Sequence, residues 1–385
     1  MCATIRRSGH LSVVFCLLSS VLLAADETDV AKFDPNMAVE KAVVGARGVK
    51  WIDGRTLPIE GRAFDDTEHY YDRLPATVTT NVNAGVRMMK HHTAGMQFRF
   101  VTNSKKLAFR WIPWGTTLAK DNVVQIAMSG IDIYRQDASG VWRYVKTGRI
   151  QSSDGATCRI DWTPGEACLV NLPLYNGVKR FALGIDKDAF VRALPPRKSG
   201  VTKPVVFYGT SITHGASASR PGLCFVNMVG RDLDVPVVNL GFSGSGVMEF
   251  EMSEHLARID ASCYVLDCLW NMGLKEDPKR PGRSVEGNYE KFVRNLRAKR
   301  PGVPIVMAEQ CDVYCRGPNE KDKYMKGLYE KLVAEGWTNL VYLPKDAMYT
   351  GDLEGAIDGV HPNDWGMMSM AKAFGQAVRE ALKLK

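Results

Sequence analysis

The sequence has no repeat of 20–50 residues and no low-complexity tract, which excludes solenoids and fibrous arrays. Hydrophobic residues make up 45% and charged residues 24%, the balance of a folded globular chain, so wholesale disorder is excluded. No basic stripe is interleaved with aromatics, so no nucleic-acid partner is expected. Cys311 and Cys315 have no second Cys or His pair at zinc spacing. His91 and His92 are adjacent and would face opposite sides of a strand, so no metal is expected. A dinucleotide G-x-G-x-x-G signature is also missing, and no cofactor is expected. Long apolar runs are scarce: there is one, at the N-terminus.

That run, residues 11–23, follows Arg6 and Arg7 and ends at Ala24 and Ala25. It reads as a secretory signal over residues 1–25, being shorter than the roughly 20 residues of a membrane span. Nothing later could cross a bilayer, so the expectation is a secreted or periplasmic protein, with cell-surface association left open. Removing Arg6 and Arg7 from 50 basic residues leaves +6 against 42 acidic ones. The densest basic stretch, 275–283, also carries Glu276, Asp277 and two prolines and reads as a solvated loop. Seven cysteines remain after the leader: Cys158, Cys168, Cys224, Cys263, Cys268, Cys311 and Cys315. Cys158 and Cys168 flank a turn and are expected to form a disulfide across a hairpin in an oxidising compartment. Cys311 and Cys315 are a second candidate pair. Cys263 and Cys268, in an apolar run, read as core.

A chain of 385 residues suggests two domains. From about 79 to 185, short alternating bursts such as 97–101, 107–111, 131–134 and 142–145 are separated by turn residues. This predicts an N-terminal all-β sandwich, residues 26–200 with its linker. After the proline-punctuated link at 194–200, five apolar runs at 205–208, 237–240, 264–266, 305–308 and 340–343 alternate with helical spacing at 225–233, 249–259, 285–299, 323–335 and 365–384. Strands apolar on both faces predict a doubly wound α/β domain over 201–385 with a five-stranded parallel sheet.

In such a sheet, chemistry gathers at the C-terminal strand ends. The first run ends in Gly209-Thr210-Ser211-Ile212-Thr213-His214-Gly215, where Ser211 is either a presented nucleophile or a helix cap. The second ends in Gly241-Phe242-Ser243-Gly244-Ser245-Gly246, whose backbone N–H groups can approach a ligand. The third ends in Asp267-Cys268-Leu269-Trp270-Asn271, where the Asn271 amide could face an oxyanion or serve a turn. Before the last helix stands Asp358-Gly359-Val360-His361. A carboxylate three residues ahead can hold the imidazole Nδ1–H and leave the other nitrogen as general base. His214 and Trp270 are candidates to line a substrate pocket. Trp270 and Tyr314 could stack on a sugar or pack in the core.

Together these four fragments resemble the blocks of the SGNH/GDSL hydrolase superfamily, in order and across 201–385. Gly209-Thr210-Ser211-Ile212 is similar to its first block, Gly244 to the glycine of the second, Asn271 to the asparagine of the third and Asp358-x-x-His361 to the fifth. Gly130-Ile131-Asp132-Ile133-Tyr134 resembles the G-x-D-L-Y segment that precedes the catalytic domain in one branch. Thr210 replaces the Asp of the first block and Leu269 the glycine two before the asparagine. The resemblance implies Ser211 as nucleophile, His361 as base and Asp358 as its orienter. The Ser211 and Gly244 N–H groups and the Asn271 side chain become the oxyanion donors. It also implies a jelly-roll-like N-terminal sandwich, a flavodoxin-like catalytic domain and an esterase. The expected substrate is an O-acylated, chiefly O-acetylated, carbohydrate. A lipid or aryl esterase, an inactive carbohydrate-binding surface protein and an acyl transferase are the alternatives.

Overall fold

The alternation between 97 and 185 becomes strands because every second side chain finds a common core. In the computed structural model, which describes residues 48–385 apart from Cys315, ten strands form this half. They are β1 (Val49–Asp53), β2 (Ile59–Glu60), β3 (Gln97–Thr102), β4 (Lys106–Pro113), β5 (Ile131–Gln136), β6 (Trp142–Gly148), β7 (Ala156–Asp161), β8 (Ala167–Asn171), β9 (Val178–Asp186) and β10 (Val191–Ala193). One antiparallel sheet has the order β1-β9-β4-β7. The other runs β10-β3-β8-β5-β6, with β2 on β3. Along β4, Leu107, Phe109 and Trp111 are buried while Lys106 and Arg110 are exposed. These residues share one cluster with Phe98, Phe100, Ile131, Ile133 and Val170 of the other sheet. The leader at 1–25 lies outside the described residues.

The cysteine expectation is corrected. Cys158 pairs opposite Phe109 of β4, whereas Cys168 pairs opposite Phe100 of β3, and both are free thiols. The turn at 163–165 therefore carries the chain from one sheet to the other instead of closing a hairpin. Cys263, Cys268 and Cys311 are also free and buried, and Cys315 lies outside the described residues. Two short helices interrupt this half without a sequence signal of helical length, α1 (Ala84–Met89) and α2 (Gln125–Ser129).

The second half contains α3 (Ser211–His214), α4 (Phe225–Asp232), α5 (Phe250–Arg258), α6 (Val285–Lys299), α7 (Glu320–Ala334) and α8 (Asp364–Leu382). Its strands are β11 (Val205–Gly209), β12 (Val237–Gly241), β13 (Cys263–Asp267), β14 (Ile305–Ala308) and β15 (Leu340–Leu343). They form one parallel sheet in the order β12-β11-β13-β14-β15. Both faces are covered: Val205 and Phe207 enter one cluster, Val206 and Tyr208 the other. Helix α7 starts three residues ahead of its apolar spacing because Asn319 and Asp322 close a capping box at its start. The strand order reverses at β11, which opens the crevice beside its C-terminal end. Among the described residues no helix is long and apolar enough to cross a membrane.

The described residues all fall in one compact unit, and named contacts lock its two halves. The link at 194–200 is pinned: Arg197 bonds Asp234 at 3.0 Å and also Glu60, which Arg99 holds at 2.8 Å. Asp132, in the 130–134 motif, is fully buried and accepts from Arg220 Nη1 at 2.7 Å, Gly222 N–H at 2.8 Å and Asn171 Nδ2 at 2.8 Å. The Tyr134 hydroxyl also bonds Arg220, whose guanidinium lies 4.3 Å from the Tyr144 ring centre. A Cβ on Gly222 would stand 2.5 Å from the Tyr134 hydroxyl, so only glycine fits. The motif is thus a latch onto the segment between α3 and α4. Asp132→Ala leaves Arg220 with no carboxylate in a desolvated site. It should lower unfolding free energy by about 3–5 kcal/mol, read from urea titration. A loss under about 1 kcal/mol would show that the latch carries little.

Candidate active site

Ser211 opens α3 directly after β11. Its neighbour Thr210 is the N-cap, with Oγ1 accepting the Ile212 N–H at 3.2 Å. The cap is therefore filled by Thr210, and Ser211 Oγ points elsewhere: it lies 2.9 Å from His361 Nε2. His361 Nδ1 lies 2.7 Å from Asp358 Oδ2, and Asp358 Oδ1 accepts the N–H groups of Val360 (3.0 Å) and His361 (2.8 Å). Burial alone would raise the Asp358 pKa. The hydrogen bonds from His361 and Val360 outweigh it and hold the carboxyl below its ordinary range. The loop itself is braced. Arg316 Nη2 donates to Gly359 O at 2.7 Å, the Tyr314 hydroxyl to Ala356 O at 3.2 Å, and Asn363 caps α8 through Trp365 and Gly366 N–H.

Gly244 and Asn271 meet beside this pair. Gly244 has φ +66°, and a Cβ there would meet open space. Gly246 packs so tightly under β11 that a Cβ would come 1.9 Å from Gly209 O. With its amide turned to satisfy its neighbours, Asn271 Oδ1 accepts the N–H groups of Ser245 (3.1 Å) and Gly246 (3.2 Å). Asn271 thereby ties the end of β13 to the glycine loop after β12, and its Nδ2 faces acceptors. Leu269 in place of glycine is accommodated in a short 3₁₀ turn, Leu269–Asn271, with its side chain in the core.

Behind Ser211, Asp267 Oδ2 accepts from Thr213 Oγ1 at 2.6 Å and Oδ1 from Cys311 Sγ at 2.7 Å. Full burial pushes Asp267 up to about 6 against those two bonds. His214 does not line an open pocket: it is fully buried, stacked on Tyr175 with ring centres 3.9 Å apart, and its Nε2 lies 2.8 Å from Leu174 O. Burial, then the nearby Arg73 charge, pulls its pKa well down, so it is neutral. Trp270 is half-buried. Its indole N–H bonds Cys311 O, it packs against the core, and the Arg316 guanidinium lies 5.6 Å from its ring centre.

Sequence reasoning assigned no site role to several residues found near it, most of which, Tyr175, Asn122 and Arg73 among them, come from the β half, while Ser217 and Trp365 come from the α/β half. The Tyr175 hydroxyl donates to Ser211 O at 3.0 Å. Asn122 Nδ2 lies 3.4 Å from His361 Nδ1, and Ser217 Oγ, two residues after Gly215, bonds Asn122 O at 3.0 Å. Arg73, buried, donates to Asn239 O (3.1 Å), Gly241 O (2.8 Å) and Met89 O (2.8 Å), bracing the end of β12. Trp365, four residues past His361, is 49% exposed and offers an open indole face. Glu68, Asp72 and His91 have ligand atoms within 4.8 Å of one another, the spacing of a cation site. They are already satisfied there, since Lys90 pairs with Glu68 and Asp72 holds His91 Nδ1, each at 2.8 Å.

Residues 202–379 match the GDSL-like lipase/acylhydrolase family, and residues 49–191 match the N-terminus of an esterase of SGNH hydrolase type. A protein from Bacteroides ovatus, solved as a candidate GDSL-like lipase, is 28% identical with a TM-score of 0.73, over 88% of this chain and 99% of its own. A salicylyl-acyltransferase from a tetracycline biosynthetic pathway shares 18% identity at a TM-score of 0.69, covering 87% and 98%. A family two carbohydrate esterase from Cellvibrio japonicus shares 13% at 0.57, covering 87% and 98%. At those lower identities the likeness concerns the fold. No curated protein sequence is significantly similar.

Proposed function

Because the chain belongs to the SGNH/GDSL hydrolases and is a carboxylic ester hydrolase, we propose that it removes O-acetyl groups from carbohydrates through a Ser211–His361–Asp358 triad. Ser211 Oγ attacks the ester carbonyl while its proton passes to His361 Nε2. The tetrahedral oxyanion is met by the Ser211 and Gly244 N–H groups and the Asn271 Nδ2. Collapse breaks the bond to the alcohol oxygen, which takes the proton from His361. Water then attacks the acyl-enzyme with His361 again as base, and acid and free Ser211 are released. Asp358 keeps the proton on Nδ1 and steadies the imidazolium. The observation that carries this reading is the unbroken line from Ser211 Oγ through His361 to Asp358. An intact set of this kind argues against an inactive carbohydrate-binding protein. The leader sequence supports action outside the cytoplasm.

The carbohydrate part rests on the mouth of the site. Asp358 is 42% exposed and Trp365 stands open beside the same loop, a face on which a sugar ring can stack. The second reading, a lipid or aryl esterase, draws on Leu353 and Ile357, exposed on that loop as well. Nitrophenyl esters of increasing acyl length, assayed beside acetylated xylan, pectin and xanthan, separate the two. The expected result is fastest turnover of the acetyl ester and release of acetate from at least one polymer. Preference for long acyl chains with no acetate release would select the lipid esterase. Absence of all turnover would overturn the enzymatic reading.

A further inference from the structure

Arg283 lies at the end of the basic stretch that reads from sequence as a solvated loop, yet it is half-buried. Its Nη1 donates to Gly244 O at 2.7 Å. Among the described residues no carboxylate lies within ion-pair distance of it. Glu249, the acid whose charge it feels, accepts both the N–H and the side-chain Nδ2 of Asn83, at 2.8 and 3.0 Å. Arg280 adds a like charge, so burial and repulsion both disfavour the guanidinium where it stands. The one side-chain hydrogen bond of Arg283 goes to Gly244 O, so among the described residues the remaining guanidinium N–H donors have no protein acceptor and are open to a ligand. Arg283 bonds the same peptide residue whose N–H faces the proposed oxyanion, next to the open space over Gly244.

Given the esterase reading, on which this step rests, we propose that Arg283 is the anchor for a carboxylate carried by the substrate close to its scissile ester. The guanidinium fork pairs with a carboxylate through two parallel N–H bonds, and such a pair strengthens in a partly desolvated cleft. The carboxylate can sit on the alcohol side, as in an O-acetylated uronic acid, or on the acyl side, as in a hemisuccinate. The ligand chemistry is the same, and the assay tells the sources apart.

The test compares an O-acetylated methyl galacturonoside with its C6 methyl ester, and nitrophenyl hemisuccinate with its monomethyl ester, in the wild-type chain, Arg283→Gln and Arg283→Lys. For at least one pair, the wild type should favour the free carboxylate. Arg283→Gln should reduce the ratio of kcat/KM for charged over neutral ester at least tenfold, mainly through KM, with partial recovery in Arg283→Lys. The first pair responding places the anion on the alcohol, the second on the acyl group. If Arg283 serves only to fix the Gly244 peptide, both members of each pair fall together, the ratio stays put and the proposal is overturned. Direct binding of the same ligands to Ser211→Ala, with and without Arg283→Gln, reads the anchor without turnover. Equal affinity for acid and methyl ester there overturns it independently of whether the esterase reading holds.

Discussion

Ser211→Ala should abolish ester hydrolysis, lowering kcat by up to about 10⁶-fold, while melting temperature stays within a few degrees of the wild type. The side chain shrinks by one oxygen at the start of α3, and the cap there belongs to Thr210, so the helix keeps its first turn. Tyr175 bonds the backbone carbonyl of residue 211, not its side chain, and that contact survives as well. What disappears is the atom 2.9 Å from His361 Nε2 that would form the acyl-enzyme. Stopped assays on nitrophenyl acetate, with thermal unfolding of the same preparation, decide the matter. Activity retained within tenfold would remove Ser211 from the nucleophile's role and turn attention to Ser243 and Ser245.

The next largest loss is expected for Asp358→Asn, about 10⁴-fold in kcat. Asn keeps an oxygen for the Val360 and His361 N–H groups, so the loop stays closed. It presents an amide N–H to His361 Nδ1, which drives the ring proton to the other nitrogen. Nε2 then carries a hydrogen toward Ser211 and cannot accept one. KM should change little, because the tautomer matters for the proton transfer and not for ground-state binding. A variant with full kcat would mean that Asp358 is only a turn residue holding two backbone N–H groups.

Local pattern made much of this molecule legible. The parallel strands stand where apolar runs were found because burial on both faces demands them, and the helix at Val285–Lys299 coincides with its apolar spacing. Asp358 and His361 are near each other because only Gly359 and Val360 separate them on one loop, so their proximity needs no tertiary information. In sequence Ser211 reads as either a presented hydroxyl or a helix cap, and the fold gives the cap to Thr210. Pairings across long separations left no local trace. Cys158 and Cys168 flank a turn that looks like a hairpin, and only the register of β7 and β8 in different sheets separates them. His214 follows Ser211 closely, but Leu174 and Tyr175, some forty residues upstream, bury it. Arg73, Asn122 and Tyr175 sit in stretches whose composition is that of ordinary turns. Their importance comes from where the chain returns more than a hundred residues later, or from a hydroxyl meeting one carbonyl.

The buried guanidinium of Arg73 restricts how such proteins can be recombined. It spans from a loop of the β half to two carbonyls at the end of β12, while Asp132 fastens the segment after α3. A catalytic half expressed alone would present those carbonyls and the Arg220 charge to water. A chimera carrying the β half of a distant relative would need matching partners at both points. The two halves of this chain are therefore fitted to each other: a change at Arg73, Asp132 or Gly222 leaves an unmatched group or a clash across the seam, so a chimera joined at residue 200 is expected to be less stable than the intact chain unless both points are matched.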